Sequence, residues 1–384
     1  MHLNGVVSSV RGRGVELRAR QIADPIVRLR YCRRAMGVAR TPKLSQRISR
    51  FQLRALGLGL ALLCLPLRPT EETRLHAWPP ELRVPFGGPA TAVPRVWLVE
   101  NRGGVEIYSN GLRLETAGTV AGEPRWYVAL SRRPVTGPFE ERSAPAGIVF
   151  HMSESHLLPL EEERNAELRR LRAGLLAYVR QRRSYHYLVD RFGTVHRVVE
   201  DRAKAEHAGH SVWADSRWIY LNLNESFLGV AFEAITLPGE TRPTLTPAQV
   251  HCARTLTEML RSRYEIPAEN CVTHAQVSVN PGNFRIGYHT DGAGNFPFAA
   301  LGLPDNYNLP LPSLWLFGFR YDNLFLESTG GRMSQGLVWA EEQLRQDAAA
   351  QGMSLKQYRK ALQQKYRELA RALPGSEISK EKSE

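Results

Sequence analysis

The chain has 384 residues, of which 43% are hydrophobic and 23% are charged. This composition is ordinary for a globular protein, and the length allows two domains with tails. The formal net charge of +13 is uneven: residues 1–70 carry 14 Lys or Arg and two acids, which leaves 37 basic and 36 acidic side chains in the rest. A nucleic-acid-binding domain carries basic charge on its folded surface, so the charge distribution excludes that class.

The first segment combines a basic stretch with an apolar one. Residues 55–67 are almost entirely apolar, but a membrane-spanning helix needs roughly 20 such residues. A basic region before a short apolar region is typical of a secretory signal, so residues 1–68 are predicted to be an export leader. The basic region is long if translation starts at Met1, and Met36 is an alternative start. Cys64 lacks the small preceding residue of a lipoprotein signal, although the leader could still provide membrane attachment.

The next segment predicts a small β-rich unit. Residues 69–94 are rich in proline and polar groups and are interpreted as a linker. Residues 95–142 contain short alternating runs separated by Ser-Asn-Gly and Ala-Gly-Glu-Pro. Such runs indicate short strands joined by turns, and the pattern resembles a bacterial SH3-like module.

An alternation of strands and helices begins near residue 143. It indicates an α/β layer, and we expect this domain to cover residues 143–302. Thr246, Pro247 and Gln249 form a capping box with proline in the first turn, which predicts a helix start. The predicted elements are a strand at 147–151, a helix at 160–180, a hairpin at 184–199, a strand at 227–235 and a helix from Thr246 to about Tyr264.

The remainder is predicted to extend and follow this domain. Residues 303–334 are interpreted as an extension that packs on it, and residues 335–384 as a helical tail interrupted at Gly352, with a charged, disordered end. Cys252 and Cys271 could form a disulfide in an oxidising compartment or stay as two thiols.

Three polar residues occupy positions suited to a metal. His151 ends an apolar strand, His274 ends the segment 270–274, and Asp291 lies in a loop bracketed by glycines. Two imidazoles and one carboxylate with an open fourth position form a catalytic zinc arrangement. The sequence therefore predicts a Zn²⁺ site.

Several motifs in order carry a resemblance to a known family. The region 145–300 resembles N-acetylmuramoyl-L-alanine amidases, the family of phage amidase-type lysozymes and peptidoglycan recognition proteins. That resemblance implies a central mixed β-sheet flanked by helices. The matching segments are 148–153, the hairpin 184–195, the loop 207–213, the strand 224–230, Thr273-His274 and the segment 290–298.

The resemblance implies hydrolysis of the amide between N-acetylmuramic acid and L-alanine of the stem peptide. It makes His151, His274 and Asp291 the zinc ligands. Tyr185 matches a tyrosine that assists catalysis, and His289 occupies the position of an assisting lysine. Other branches use a glutamate as general base, where this chain has Ala231; we expect Glu233, two residues further on, to replace it.

Other positions complete the expected site and its alternatives. His207, Trp213 and Asn224 are predicted to contact sugar or peptide, with packing as the alternative for Trp213. The gap before Asp291 is longer than in the family, so His289 is an alternative third ligand, and the insertion could line the groove. A non-catalytic module that binds peptidoglycan or muropeptides is the alternative function. The expected location is the periplasm or cell envelope, and no oligomeric state is indicated.

Overall fold

A computed structural model describes residues 93–132, 139–237, 244–293, 295–321, 323–329 and 333–372. The predicted leader, nearly all of the predicted linker and the charged end of the tail lie outside the described residues. Within the described residues, no helix combines the length and apolar character that a membrane crossing requires.

The strands follow from short apolar runs broken by turns. In chain order they are Leu98–Arg102 (β1), Val105–Tyr108 (β2), Arg113–Glu115 (β3), Tyr127–Ser131 (β4), Phe139–Arg142 (β5), Gly147–Met152 (β6), Tyr187–Val189 (β7), Val195–Arg197 (β8), Val212–Ala214 (β9), Trp218–Leu221 (β10), Phe227–Phe232 (β11), Cys271–Thr273 (β12), Val279–Asn280 (β13), Arg285–Ile286 (β14) and Arg320–Tyr321 (β15).

The helices lie between and after these strands. They are Asn165–Arg182 (α1), Leu223–Ser226 (α2), Pro247–Tyr264 (α3), His274–Val277 (α4), Pro312–Phe317 (α5), Asn323–Ser328 (α6), Gln335–Ala350 (α7) and Leu355–Ala372 (α8). The helix expected at 160–180 begins later, because residues 162–164 form a 3-10 turn. The predicted capping box of α3 is confirmed, since Thr246 Oγ1 accepts from Gln249 N at 3.1 Å and Gln249 Oε1 accepts from Thr246 N at 3.0 Å.

The main sheet has eight strands in the order β1-β2-β3-β8-β7-β11-β6-β12. β6 lies between β11 and β12 and is parallel to both, whereas β7 and β8 form an antiparallel hairpin. The predicted α/β fold with a central mixed sheet is confirmed. Because β6, β11 and β12 are parallel, their carboxyl ends meet at one edge, where polar side chains can converge.

The β-rich segment does not form a barrel of its own among the described strands. β3 pairs with β8 of the main sheet, and β4 pairs with β10 in a second sheet of order β5-β4-β10-β9. This pairing differs from the predicted SH3-like module. The reason is that apolar side chains of these short strands, such as Leu114 and Tyr127, are buried in the same core cluster as the central strands.

The end of the chain packs on the same core. Asn306 Nδ2 donates to the Cys271 carbonyl oxygen at 2.6 Å, and Trp315 and Leu344 are buried in the core cluster. α7 and α8 flank Gly352, whose φ of +63° suits glycine, so the predicted interrupted helical tail is confirmed.

Candidate active site

The three predicted ligands lie at the carboxyl edge of the parallel strands. His151 is the fifth residue of β6, and His274 directly follows β12 as the first residue of α4. A capping box between Thr273 and Gln276 fixes this strand-to-helix junction. The backbone N–H of Ala275 donates to the carbonyl oxygen of Asp291 at 3.2 Å, which ties the third residue's loop to the same junction.

The structure brings these side chains into one buried cluster. One ligand atom from each of His151, His274 and Asp291 lies within 4.8 Å of the others. Asp291 Oδ1 is 2.8 Å from His274 Nδ1, and Asp291 Oδ2 is 3.1 Å from His151 Nδ1. Residues up to 140 positions apart therefore form a donor set of two imidazoles and one carboxylate.

The outer nitrogens of the two imidazoles are occupied by protein acceptors. His207 Nε2 lies 3.3 Å from the Phe227 carbonyl oxygen, which can only accept, so His207 Nδ1 is the acceptor for His151 Nε2–H at 3.1 Å. His274 Nε2 lies 3.4 Å from the Ala208 carbonyl oxygen. In the tautomer that carries the proton on Nε2, each ring would present an unprotonated Nδ1 to Asp291, as metal ligation requires. Lone pairs facing a carboxylate repel it, and a cation between them would relieve that repulsion.

The electrostatics of the cluster favour a neutral His151 and an ionised Asp291. Burial, with a further contribution from His274, lowers the pKa of His151 to about 4. Burial would raise the pKa of Asp291, but His274 and His151 outweigh it and hold that pKa well below its ordinary value. At neutral pH these are the protonation states that zinc ligation requires.

Two predicted helpers lie beside the cluster. The His289 ring stacks on His274 with centroids 4.7 Å apart, and burial followed by the charge of His274 lowers the pKa of His289 to about 4. Tyr185 lies 5.1 Å from His151 between ring centroids, and burial and Asp291 raise its pKa. Among the hydrogen bonds of the described residues, none uses the Tyr185 hydroxyl, so it is available as a neutral donor.

Glu233, the predicted general base, does not lie beside the cluster as Tyr185 and His289 do. Its carboxylate accepts a hydrogen bond from the backbone N–H of Arg191 at 3.2 Å, in the turn between β7 and β8. Burial raises the pKa of Glu233, and its other electrostatic neighbours are Asp190 and Arg172. The side chain is therefore directed to the hairpin turn and away from Asp291.

The residues expected to line the substrate groove are buried, and they make hydrogen bonds within the protein. Trp213 is 2% exposed, and its Nε1–H donates to Asn270 Oδ1 at 3.1 Å, so the packing alternative describes it. Asn224 Oδ1 accepts from the backbone N–H groups of His207, Ala208 and Gly209, which shapes the loop behind the site. His207 is 8% exposed and positions His151. None of the three offers a broad open surface, because the loop folds back onto the core.

Three residues near the site were not predicted from the sequence, because they belong to none of the recognised motifs. Tyr288, in the insertion before Asp291, is 49% exposed and packs edge-to-face on His289 with centroids 4.9 Å apart. Glu154 and Thr236 follow β6 and β11, and Thr236 Oγ1 accepts from the backbone N–H of Gly292 at 3.3 Å. Their position just after two strands of the parallel edge was the signal that could have found them. Cys252 and Cys271 are free thiols.

Part of the chain matches a known protein family. Residues 141–285 match a family model described as N-acetylmuramoyl-L-alanine amidase. The match includes His151 and His274 and ends before Asp291, which follows the insertion. No curated protein matches the sequence.

Similar solved structures are amidases. LysC from Clostridium intestinale is 21% identical, covering 41% of this chain and 82% of that chain with a TM-score of 0.26. AmpDh3 from Pseudomonas aeruginosa, in complex with an anhydromuramic pentapeptide, is 20% identical. The match covers 41% of this chain and 58% of that chain, with a TM-score of 0.31. AmiD from Escherichia coli, in complex with a substrate, is 20% identical. The match covers 52% of this chain and 65% of that chain, with a TM-score of 0.31.

The motifs, the mixed sheet and the family match give one consistent assignment. The match covers the strands that present His151 and His274, whereas Asp291 lies beyond its end. Residues 141–285 of this chain match the N-acetylmuramoyl-L-alanine amidase family.

Proposed function

We propose that this protein is a zinc-dependent enzyme that hydrolyses the amide bond between N-acetylmuramic acid and L-alanine of peptidoglycan stem peptides. The observation that carries the proposal is the convergence of His151, His274 and Asp291, whose ligand atoms lie within 4.8 Å of one another. Two imidazoles and a carboxylate leave a fourth position open for a water or a substrate oxygen.

The chemistry of the donor set supports zinc. Both histidines present Nδ1 to Asp291 while their Nε2 atoms are bound by protein acceptors. When bound, zinc would lower the pKa of a water and polarise the amide carbonyl. The protein's own contribution is to hold three ligands in a buried pocket and to keep both rings in one tautomer.

The remaining steps fall to side chains around that pocket. As the attacking water adds to the amide carbon, negative charge grows on the carbonyl oxygen, and donors aimed at that oxygen stabilise it. We assign this role to the Tyr185 hydroxyl and to His289 as a neutral imidazole. A base must also take a proton from the water and return one to the departing nitrogen. The family's motif places that base at the position of Ala231 in this chain, and the sequence predicts Glu233 as its replacement.

The proposed substrates are peptidoglycan or its muropeptide fragments. We propose that the chain acts in the periplasm or cell envelope after export by its leader, residues 1–68. Tyr288 is a candidate for contact with sugar or peptide, because its exposed ring stands beside His289. The alternative, a recognition module that binds without cutting, fits less well because a complete ligand set is present.

One experiment tests both the metal and the bond. Purified protein should contain about one zinc per chain. Mass spectrometry of digested peptidoglycan should detect stem peptides with a free L-alanine amino group and glycan with a free lactyl carboxyl group. His274→Ala should lose the zinc and the peptide release, whereas His156→Ala, at an exposed position, should keep both. A folded, zinc-free protein that releases no peptide would overturn the proposal, and binding of muropeptides without cleavage would support the recognition module.

A further inference from the structure

This chain has no acidic residue at the motif position of the general base. Ala231 stands there, in register with His151 on the neighbouring strand. Its methyl group packs in a small apolar cluster with Val179 and Leu188. Glu233, the next acid along β11, accepts from the backbone of Arg191 in the hairpin turn. The strand that would supply a base therefore directs no carboxylate to the zinc ligands.

A different acid, Glu154, follows the strand of the first ligand. Its φ of +50° lies in the left-handed region, which is uncommon for residues other than glycine and often marks a functional position. Its backbone N–H donates to the Ala234 carbonyl oxygen at 3.0 Å. The chain thus turns sharply three residues after His151 and stays beside the end of β11.

The Glu154 carboxylate is held close to the loop of the third ligand. Its Oε1 accepts from the backbone N–H of Thr236 at 2.9 Å. The hydroxyl of the same Thr236 accepts from the backbone N–H of Gly292, the residue after Asp291, at 3.3 Å. One residue therefore connects the Glu154 carboxylate to the Asp291 loop. The Thr236 side chain also hydrogen-bonds the Glu154 carboxylate.

Electrostatic coupling joins Glu154 to the site. Glu154 is an exposed residue, but nearby protein atoms partly desolvate its carboxyl group. This desolvation is the main cause that raises the pKa of Glu154 to about 7, and the charge of Asp291 adds to it. The charges of Asp291 and Glu154 both raise the pKa of Tyr185. Effective general bases have a pKa near the working pH, and Asp291 is the ionisable group whose charge raises the pKa of this one.

We propose that Glu154 is the general base of this amidase and replaces the acid missing at Ala231. The inference rests on the proposed function. The Glu154 carboxylate accepts a proton from the attacking water as the water oxygen bonds to the amide carbon. When the tetrahedral intermediate collapses, the C–N bond breaks and its electron pair stays on nitrogen, which takes the proton from Glu154. The carboxylate is regenerated, and the products are a lactyl carboxyl group and a free amine.

Substitutions at the two acids distinguish their roles. Glu154→Gln should lower kcat on a defined muropeptide by about 100-fold or more, with KM, zinc content and thermal midpoint close to wild type. Glu233→Gln should stay within about threefold of the wild-type kcat, since its carboxylate serves the hairpin turn. Glu162→Gln, an exposed acid on the same connecting segment, is the matched control and should not change kcat.

Chemical rescue separates a base from a structural residue. Glu154→Ala leaves space for a small carboxylate, so added sodium formate should restore part of its kcat while leaving Glu162→Gln unaffected. Full activity of Glu154→Gln, or a Glu154→Ala variant that formate does not rescue, would overturn the inference. An inactive wild-type protein, or one whose His274→Ala variant keeps activity, would instead overturn the proposed function itself.

Discussion

His151 and His274 each turn one ring nitrogen toward the cluster and bind the other to a protein group. For His274 that group is the Ala208 carbonyl, whereas for His151 it is the His207 ring, which is itself fixed by Phe227. Burial lowers the pKa of His207 well below its ordinary value, so this ring stays neutral and can accept through Nδ1. His207, which was predicted to contact substrate, thus sets the tautomer of the predicted zinc ligand His151.

This arrangement predicts a metal-binding defect for a residue that is not a ligand. His207→Ala should weaken zinc affinity by roughly 10–100-fold, which is the usual effect of losing a hydrogen-bond partner behind a ligand. Competition with a zinc chelator measures it. His196→Ala, which removes a buried histidine paired with Asp190, should leave zinc affinity near wild type. Equal affinities in all three proteins would show that His151 does not depend on His207.

At the scale of elements, the insertion before Asp291 is held by the end of the chain. β14, inside the insertion, pairs with β15 from the extension. Gly287 lies so close to Phe325 that a Cβ there would overlap the ring. The Tyr307 hydroxyl lies 2.9 Å from Thr273 Oγ1 and donates to the Gly292 carbonyl oxygen at 3.3 Å, so it touches segments beside both later ligands. The extension therefore supports the third ligand.

Removing that hydroxyl should loosen the Asp291 loop. Tyr307→Phe should lower the free energy of unfolding by about 1 kcal/mol, the usual contribution of a buried hydrogen bond, and should also reduce zinc affinity. Urea unfolding and chelator competition measure the two effects. Tyr321→Phe, whose hydroxyl contacts only Met333 among the hydrogen bonds of the described residues, is the control. A Tyr307→Phe protein with unchanged zinc affinity would argue against support of the ligand loop by this hydroxyl.

At the scale of the whole molecule, the buried histidines connect folding to pH. The pKa values of His151 and His289 are about 4 in the folded protein, against about 6.5 in an unfolded chain. Between these values the unfolded state binds more protons, so acid favours unfolding. The low pKa of Asp291 acts in the same direction at still lower pH.

The zinc-free protein should therefore lose stability as the pH falls from about 6.5 to about 4. Urea unfolding in the presence of a chelator, repeated at pH 7.5, 6.0 and 5.0, measures the free energy of unfolding. We expect no change attributable to these histidines above pH 7 and a steady decrease below 6.5. His289→Gln should flatten the decrease, because it removes one of the groups that take up a proton on unfolding. A constant free energy across this range would contradict the assigned pKa directions.

The sequence by itself determined the local elements and the order of the motifs. The capping box that starts α3 and the apolar strand that ends at His151 depend on neighbouring residues, so periodicity and turn chemistry were enough to find them. The resemblance then supplied the family and the set of ligands. Each of these features is written in a short stretch of chain or in a motif of fixed order.

Only the tertiary structure decided what faces the site. Strand alternation placed Glu233 on the same face as Ala231, yet a backbone N–H from the hairpin turn directs its carboxylate elsewhere. The position of Glu154 depends on Thr236, more than 80 residues away in sequence. Strands β1–β3 extend the main sheet because β3 pairs with β8. Such pairings arise between distant segments, and no local pattern encodes which segment will meet which.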